Sequence, residues 1–314
     1  MNETRSPSQR LGIIYAFIAL FLWGIHGPAG RFLALEGVNM YFVASLRFFI
    51  GTFVFFVFLL FKKAVSFDFS KNIRLTLIIA LIGICGNSVL YHITLKYLPG
   101  SLVMVLENLS PIFVLFFSFI LEKTRPRFIE IASLFLSLAG LIFIVLGKGH
   151  YSFSGTTFYL GIFLGVLTGL TFGFYVYFSA ALVKPLKNDT VSIVQYLFRV
   201  FLISSVLMSP LLFTKGNLPS TFPQWFWLLE MGVFQSGFAY IFWNYALSIL
   251  PTNKTSILFL MTIIFTTINE MLFMHLKLNS FLITGGILVM AGGYILTFKK
   301  SYFLKKKKPL NNSL

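Results

Sequence analysis

The chain has 314 residues, 57% of them hydrophobic and only 11% charged, with a mean hydropathy of +0.87. Soluble domains carry about 25% charged residues, so a soluble core is excluded, and the apolar runs do not alternate as the strands of a transmembrane β-barrel would. The formal charge of +16 lies in the gaps between those runs, which points to membrane topology and away from nucleic acid; the single Cys85 excludes an internal disulfide and a cysteine-built metal site.

Leu11–Gly30, Leu75–Leu95 and Leu278–Phe298 run for 20, 21 and 21 residues without Asp, Glu, Lys or Arg. Each matches the roughly 20 residues a helix needs to cross a bilayer's hydrocarbon. The first run lacks a small-x-small cleavage site and carries Arg31 at its far end, so it reads as a span and not a signal peptide. Dividing the chain at charged or Pro/Gly-rich breaks predicts ten spans: 11–33, 38–61, 74–95, 100–121, 128–147, 157–183, 190–213, 224–248, 252–274 and 279–298. The fold class is therefore an all-α integral membrane protein.

Charge tests that count. With the N-terminus inside, the inner segments hold 18 Lys and Arg and the outer segments 5, leaving Arg47 and Arg199 within spans. This is the positive-inside asymmetry, and one span more or fewer would scramble it. Both termini are expected in the cytoplasm, with a short N-terminus over 1–10 and a basic tail over 299–314 that anchors on anionic lipid. The short loops suggest a bacterial inner membrane.

Sliding the sequence on itself by 152 residues aligns two units, 11–147 and 157–298, joined by a linker over 148–156. Arg47 falls on Arg199, Pro99 on Pro251, Ile112-Phe113 on Ile264-Phe265 and Gly140 on Gly292. Five spans per unit is an odd number, so the second unit enters the membrane from the opposite side. Ten helices in two inverted five-helix repeats is the architecture of secondary transporters, whose units rock about a central site.

The stretch "LWGIHGPAGRFLALEGVNMYFVASLRF" resembles the opening of the EamA family of the drug/metabolite transporter superfamily. Trp23-Gly24, Arg31 and Arg47 stand at the positions that carry the likeness, and "LEKTRPRFIEIASLFLSLAGLIFIVLG" matches the end of the family's first repeat through Glu122 and Gly140. The second repeat departs from the pattern: it reads "MHLKLN" after span nine, and its acid comes earlier, at Glu270. The resemblance covers residues 11–298 and implies a ten-helix metabolite carrier in the cell membrane.

Charged residues at bilayer depth are costly and usually face a bundle interior or a watery cavity. In span four, "VLENLSP" sets Glu107, Asn108 and Ser110 beside Pro111, whose missing N–H frees a backbone carbonyl. Glu107 and Asn108, with Asn269 and Glu270 in the matching span nine, are candidates for substrate binding or proton coupling. A carboxylate here would hold an ammonium group or carry the coupling proton.

In span one, Gly27, Pro28 and Gly30 loosen the helix around His26, which faces either the cavity or a helix contact. Further cavity candidates are Asn87, Tyr91, Tyr175, Trp243 and Asn244; the repeat pairs Tyr91 with Trp243 and Trp23 with Tyr175. Arg47, Arg199, Pro28 and Pro111 read as structural or gating residues. Glu230, beside Trp225 and Trp227, reads as an acid of the interfacial belt, and His92 as structural.

The function expected is secondary transport of a small polar metabolite, an amino acid or related amine, driven by a gradient or by exchange. No catalytic residue, metal or cofactor is expected. The four histidines form no H-x-x-x-H or H-E-x-x-H motif, and no phosphate-binding G-x-x-x-x-G-K-[ST] occurs. A membrane enzyme and a channel are the alternative classes. Partners are the small-molecule substrate, the lipid bilayer and a coupling proton.

Overall fold

A computed structural model of the chain describes residues 7–69, 72–98, 100–147, 156–186, 188–274, 277 and 279–298. The basic tail over 299–314, the first six residues and all but one residue of the 148–156 linker lie outside them. The described residues are helical throughout, apart from short turns and one isolated bridge between Val38 and Asn217. A chain immersed in hydrocarbon must satisfy each backbone N–H and C=O within itself, and helices do so segment by segment.

The first half comprises α1 (Pro7–Gly24), α2 (His26–Leu35), α3 (Met40–Phe61), α4 (Ile73–Ile78), α5 (Asn87–Thr94), α6 (Gly100–Glu107), α7 (Ser110–Glu122) and α8 (Phe128–Gly147). The second comprises α9 (Thr156–Val183), α10 (Thr190–Met208), α11 (Phe222–Glu230), α12 (Ala239–Ile249), α13 (Thr252–Leu258), α14 (Thr262–Met274) and α15 (Ser280–Phe298). Eight helical stretches among the described residues are long and apolar enough to cross a membrane: 9–35, 40–61, 73–94, 102–122, 128–147, 157–186, 190–213 and 252–273. Phe222–Ile249 is a further unbroken helical stretch whose Gln, Glu, Asn, Trp and Tyr residues lower its hydropathy, and Ser280–Ile295 is a shorter apolar one. Phe53, Phe119, Phe135, Phe163 and Ile287 are exposed on the outside of the bundle, where lipid would cover them.

Helix boundaries recur at the same 152-residue offset as the sequence matches. Two π-helical segments, Ile79–Gly86 and Met231–Phe238, correspond end for end. So do α7 and α14, Ser110–Glu122 on Thr262–Met274. The starts of α8 and α15, Phe128 and Ser280, also coincide.

Packing follows the same rule with the halves exchanged. α1 lies against α12 and α14, while α9 lies against α5 and α7; α3 packs on the Met231–Phe238 segment and α10 on Ile79–Gly86. Small residues permit the closest approaches. A Cβ on Gly24 would stand 2.5 Å from the Phe265 Cβ. Where α8 crosses α15, a Cβ on Gly140 would meet the Gly285 carbonyl at 2.6 Å, and one on Gly285 would meet the Gly140 carbonyl at the same distance. Gly140's partner there is thus Gly285; Gly292, its counterpart in the repeat, packs on Ser133 and Ser137.

Candidate functional site

Residues at two helix breaks and at two π-helical segments line one cavity. α1 ends at Gly24 and α2 restarts at His26, with Ala29 N–H donating to the Ile25 carbonyl across the join. α6 ends at Glu107, and α7 restarts at Ser110 with Pro111 in its first turn, a position where the missing N–H costs nothing. The first π segment ends immediately before Asn87, and the second, Met231–Phe238, contains Gln235. Irregular backbone at membrane depth is tolerated where it lines a cavity, and here it does.

The cavity opens outward, and the space free of protein atoms within and in front of it totals about 460 Å³. Trp23, His26, Arg47, Asn87, Tyr91, Met104, Glu107, Phe172, Gln235, Tyr240, Phe259 and Thr262 line it. On one side Asn87 Nδ2 donates both to Glu107 Oε1, at 3.1 Å, and to the Thr168 carbonyl, at 3.1 Å. The opposite wall is aromatic: the Trp23 ring lies 5.2 Å from Tyr240, 5.8 Å from Phe172 and 5.8 Å from Phe259, centroid to centroid. The Trp23 indole is fixed by donating to the Gln235 backbone carbonyl at 3.0 Å.

A directional hydrogen-bond chain leads out of the cavity. Gln235 Nε2 donates to Glu230 Oε2 at 2.6 Å, so its Oε1 is left to accept from His26 Nδ1, also at 2.6 Å. Arg47 Nη1 lies 3.0 Å from His26 Nδ1 and 3.3 Å from Nε2; with Nδ1 donating to Gln235, Nε2 is the ring nitrogen left to accept from the guanidinium. Every donor therefore points from Arg47 toward the Glu230 carboxylate. Arg47 is 6% exposed, and among the described residues its Nε has no acceptor and Glu230 Oε1 no donor.

Of the residues singled out in the sequence, the cavity gathers His26, Arg47, Asn87, Tyr91 and Glu107. The others stand behind it. Tyr175 and Trp243 are fully buried: Asn244 Nδ2 donates to the Tyr175 hydroxyl at 2.6 Å, and Trp243 packs 5.2 Å from Trp23. Asn108 and Asn269 are buried and donate to carbonyls of their own helices, of Met104 and Phe265. Glu270 is buried outside the cavity lining. Pro28 lies buried in α2.

Arg199 does not share Arg47's surroundings, because its Nη1 reaches out to the Asp68 carbonyl in the loop after α3. Sequence reasoning missed Gln235 and placed Glu230 in the interfacial belt. The signal available was an amide five residues after an acid in span eight, set between Gly232 and Gly237.

The sequence model of the EamA-like transporter family matches residues 10–146 and 159–298. An uncharacterized transporter of Archaeoglobus fulgidus is 28% identical over 232 residues, covering 71% of this chain and 76% of its own length. A biotin transporter of Salmonella typhimurium is 26% identical over 236 residues, 73% of each chain. The uncharacterized transporter YyaM of Bacillus subtilis is 24% identical over 257 residues, covering 79% of this chain and 81% of its own. A solved crystal structure superposes with a TM-score of 0.76 over 94% of this chain and 98% of that one; at 18% identity the likeness is one of fold.

Proposed function

This chain belongs to the EamA-like transporter family, and from that premise we propose that it is a secondary transporter moving a small polar metabolite, an amino acid or related amine, by alternating access. The two walls are the units 11–147 and 157–298, inverted with respect to each other. Ten spans complete them once Phe222–Ile249 and Ser280–Phe298 are counted. Both termini lie in the cytoplasm, in keeping with the basic segments on that side, and the membrane is a bacterial inner one. Movement is driven by an ion gradient or by exchange.

The single observation that carries the reading is the cavity itself. Arg47, Glu107, Asn87 and His26, all from the first unit, line one cavity with Phe172, Gln235, Tyr240 and Phe259 of the second, and His26 and Glu107 stand at helix breaks. Polar groups at such depth are costly to the fold and are retained where a polar solute must be held. Glu107, half-buried and clasped by Asn87, binds the ammonium group of the cargo or carries the coupling proton.

Counterflow in proteoliposomes tests this. Labelled amino acids, amines and biotin (the cargo in the name of one relative) are offered to vesicles preloaded with the unlabelled compound. Saturable counterflow of at least one of them is expected. Flux that rises linearly with concentration would indicate a channel, and flat traces for the whole screen would remove the reading. In Glu107→Gln, counterflow that survives while pH-gradient-driven accumulation fails assigns the coupling proton to Glu107.

A further inference from the structure

We infer that the cargo is a small carboxylate, gripped through its carboxylate by Arg47 while its apolar body lies against the aromatic wall. This rests on the reading of the chain as a carrier and narrows it: an amine without a carboxylate is not a substrate.

Arg47 is a buried charge with no carboxylate of the described residues in contact; Glu107, which lines the same cavity, acts on it only through space. A guanidinium keeps its proton under all ordinary conditions and offers five N–H donors. Arg47 spends one on His26, and no carboxylate of the described residues lies within 4.0 Å of it. Its Nε is buried without an acceptor. The Phe48 ring, 4.7 Å from Cζ, offers only a weak electrostatic partner. A buried charge left in this condition carries a desolvation penalty that an anion with the right fork geometry removes.

The hydrogen-bond chain explains why that place is kept open. Glu230 supplies a counter-charge, but through two neutral side chains, Gln235 and His26. Arg47 is thereby oriented without its cavity face being occupied. A direct Arg47–Glu230 pair would have closed the site.

Charge and surroundings select the class of anion. Arg47 is the only Lys or Arg among the residues lining the cavity, and Glu107 lines the same space. One guanidinium beside one acid suits a monoanion or a zwitterion, whereas a phosphate dianion would call for more positive charge. Trp23, Phe172, Tyr240 and Phe259 then offer a dry surface to an aliphatic or aromatic body.

The test compares acids with matched neutral and cationic analogues on the full-length chain in nanodiscs and proteoliposomes. The set is phenylalanine, 3-phenylpropionate, octanoate and biotin, each with its primary amide, and phenethylamine. Competition against counterflow and thermal stabilisation are read for wild type, Arg47→Lys and Arg47→Gln. At least one acid is expected to act, with its amide at least about 30-fold weaker, since truncating one partner of a buried charge pair has that scale of effect. Arg47→Gln should collapse the acid-to-amide ratio toward one, and Arg47→Lys should restore part of it. A merely structural arginine would leave that ratio unchanged. If Arg47→Gln fails to fold, the wild-type ratio alone decides.

Amides or phenethylamine acting as well as the acids would overturn the proposal and leave the carrier reading intact. So would counterflow confined to compounds without a carboxylate. Acids that stabilise the protein in an Arg47-dependent way but show no counterflow would uphold the site and overturn the carrier reading. Silence from every compound would overturn both.

Discussion

Replacing Gln235 by Leu cuts the hydrogen-bond chain at its middle. The side chain is 1% exposed, accepts from His26 and donates to Glu230. The bond to a carboxylate belongs to the charge-assisted class, about 1.5–3 kcal/mol. The bond from His26 is neutral, and neutral side-chain bonds between membrane helices average about 0.6 kcal/mol. Leu fills a similar volume but can neither donate nor accept, so packing changes little while both bonds vanish. The expected loss is about 2–3.5 kcal/mol, most of it from Glu230, whose Oε1 already lacks a donor. Unfolding by detergent titration in mixed micelles measures it. A double-mutant cycle with Glu230→Gln isolates the pair, because that substitution removes the charge Gln235 serves; a coupling of about 1.5 kcal/mol is expected. A coupling below about 0.5 kcal/mol would refute the claim that the chain ends on a bonded carboxylate.

Three further outcomes are expected. Gly285→Val should destabilise the fold by about 1–3 kcal/mol through overpacking, since its Cβ would stand 2.6 Å from the Gly140 carbonyl; Gly286→Ala next door, with nothing within 4 Å, should be close to neutral in the same unfolding assay. Arg199→Gln should keep counterflow within a few-fold of wild type, because Arg199 binds only the Asp68 carbonyl outside the cavity, and a loss as deep as that of Arg47→Gln would refute the distinction.

Asp189 caps α10, accepting from the Ser192 hydroxyl and from the Val191 and Ser192 amides, and the hydroxyl first, then the amides, hold its carboxyl below the usual range. A lowered value means that the stabilisation is complete above the unfolded carboxyl's range and fades as acid protonates the folded one. Asp189→Ala should therefore cost about 1 kcal/mol at neutral pH and less as the pH falls toward 3, read as the difference between two unfolding curves.

Much of the frame was legible because its signals are one-dimensional. Run length gives spans, and the 152-residue offset lines up Pro99 with Pro251 before any helix is seen. The structure repeats that offset in features no composition scan contains, such as the paired π segments at Ile79–Gly86 and Met231–Phe238. The site was legible only in part.

His26, Asn87 and Glu107 stood out as polar residues at depth, and they line the cavity. Arg47 and Arg199 looked alike because the repeat equates them; they differ because the second reaches the carbonyl of a loop residue, Asp68, while the first lines the cavity beside His26. Depth along a helix says how far a residue is from the surface but not which way it faces. That is why Asn108, one residue from Glu107, bonds its own helix, while Glu107 reaches Asn87.

The repeat is faithful in backbone and unfaithful in the cavity, and the mismatch bears on mechanism. The positions equivalent to His26, Asn87 and Glu107 are Phe178, Ala239 and Phe259, and the one equivalent to Gln235 is Gly83. The first unit thus supplies Arg47, His26, Asn87, Tyr91 and Glu107, and the second supplies Phe172, Tyr240 and Phe259 with the single amide of Gln235. If the units move against each other, all five of these polar groups stay on the first unit, whose α1 and α3 pack on elements of the second. What changes is the place of Phe172, Tyr240 and Phe259, Trp23 of the same wall staying on the first unit, and the Gln235 contact to His26, the hydrogen bond in the Arg47-to-Glu230 chain that crosses between the units. Rocking therefore alters Arg47's link to its remote counter-charge without breaking up the cargo's own polar shell. A symmetric distribution of charge would tie the cargo to both walls and oppose their separation.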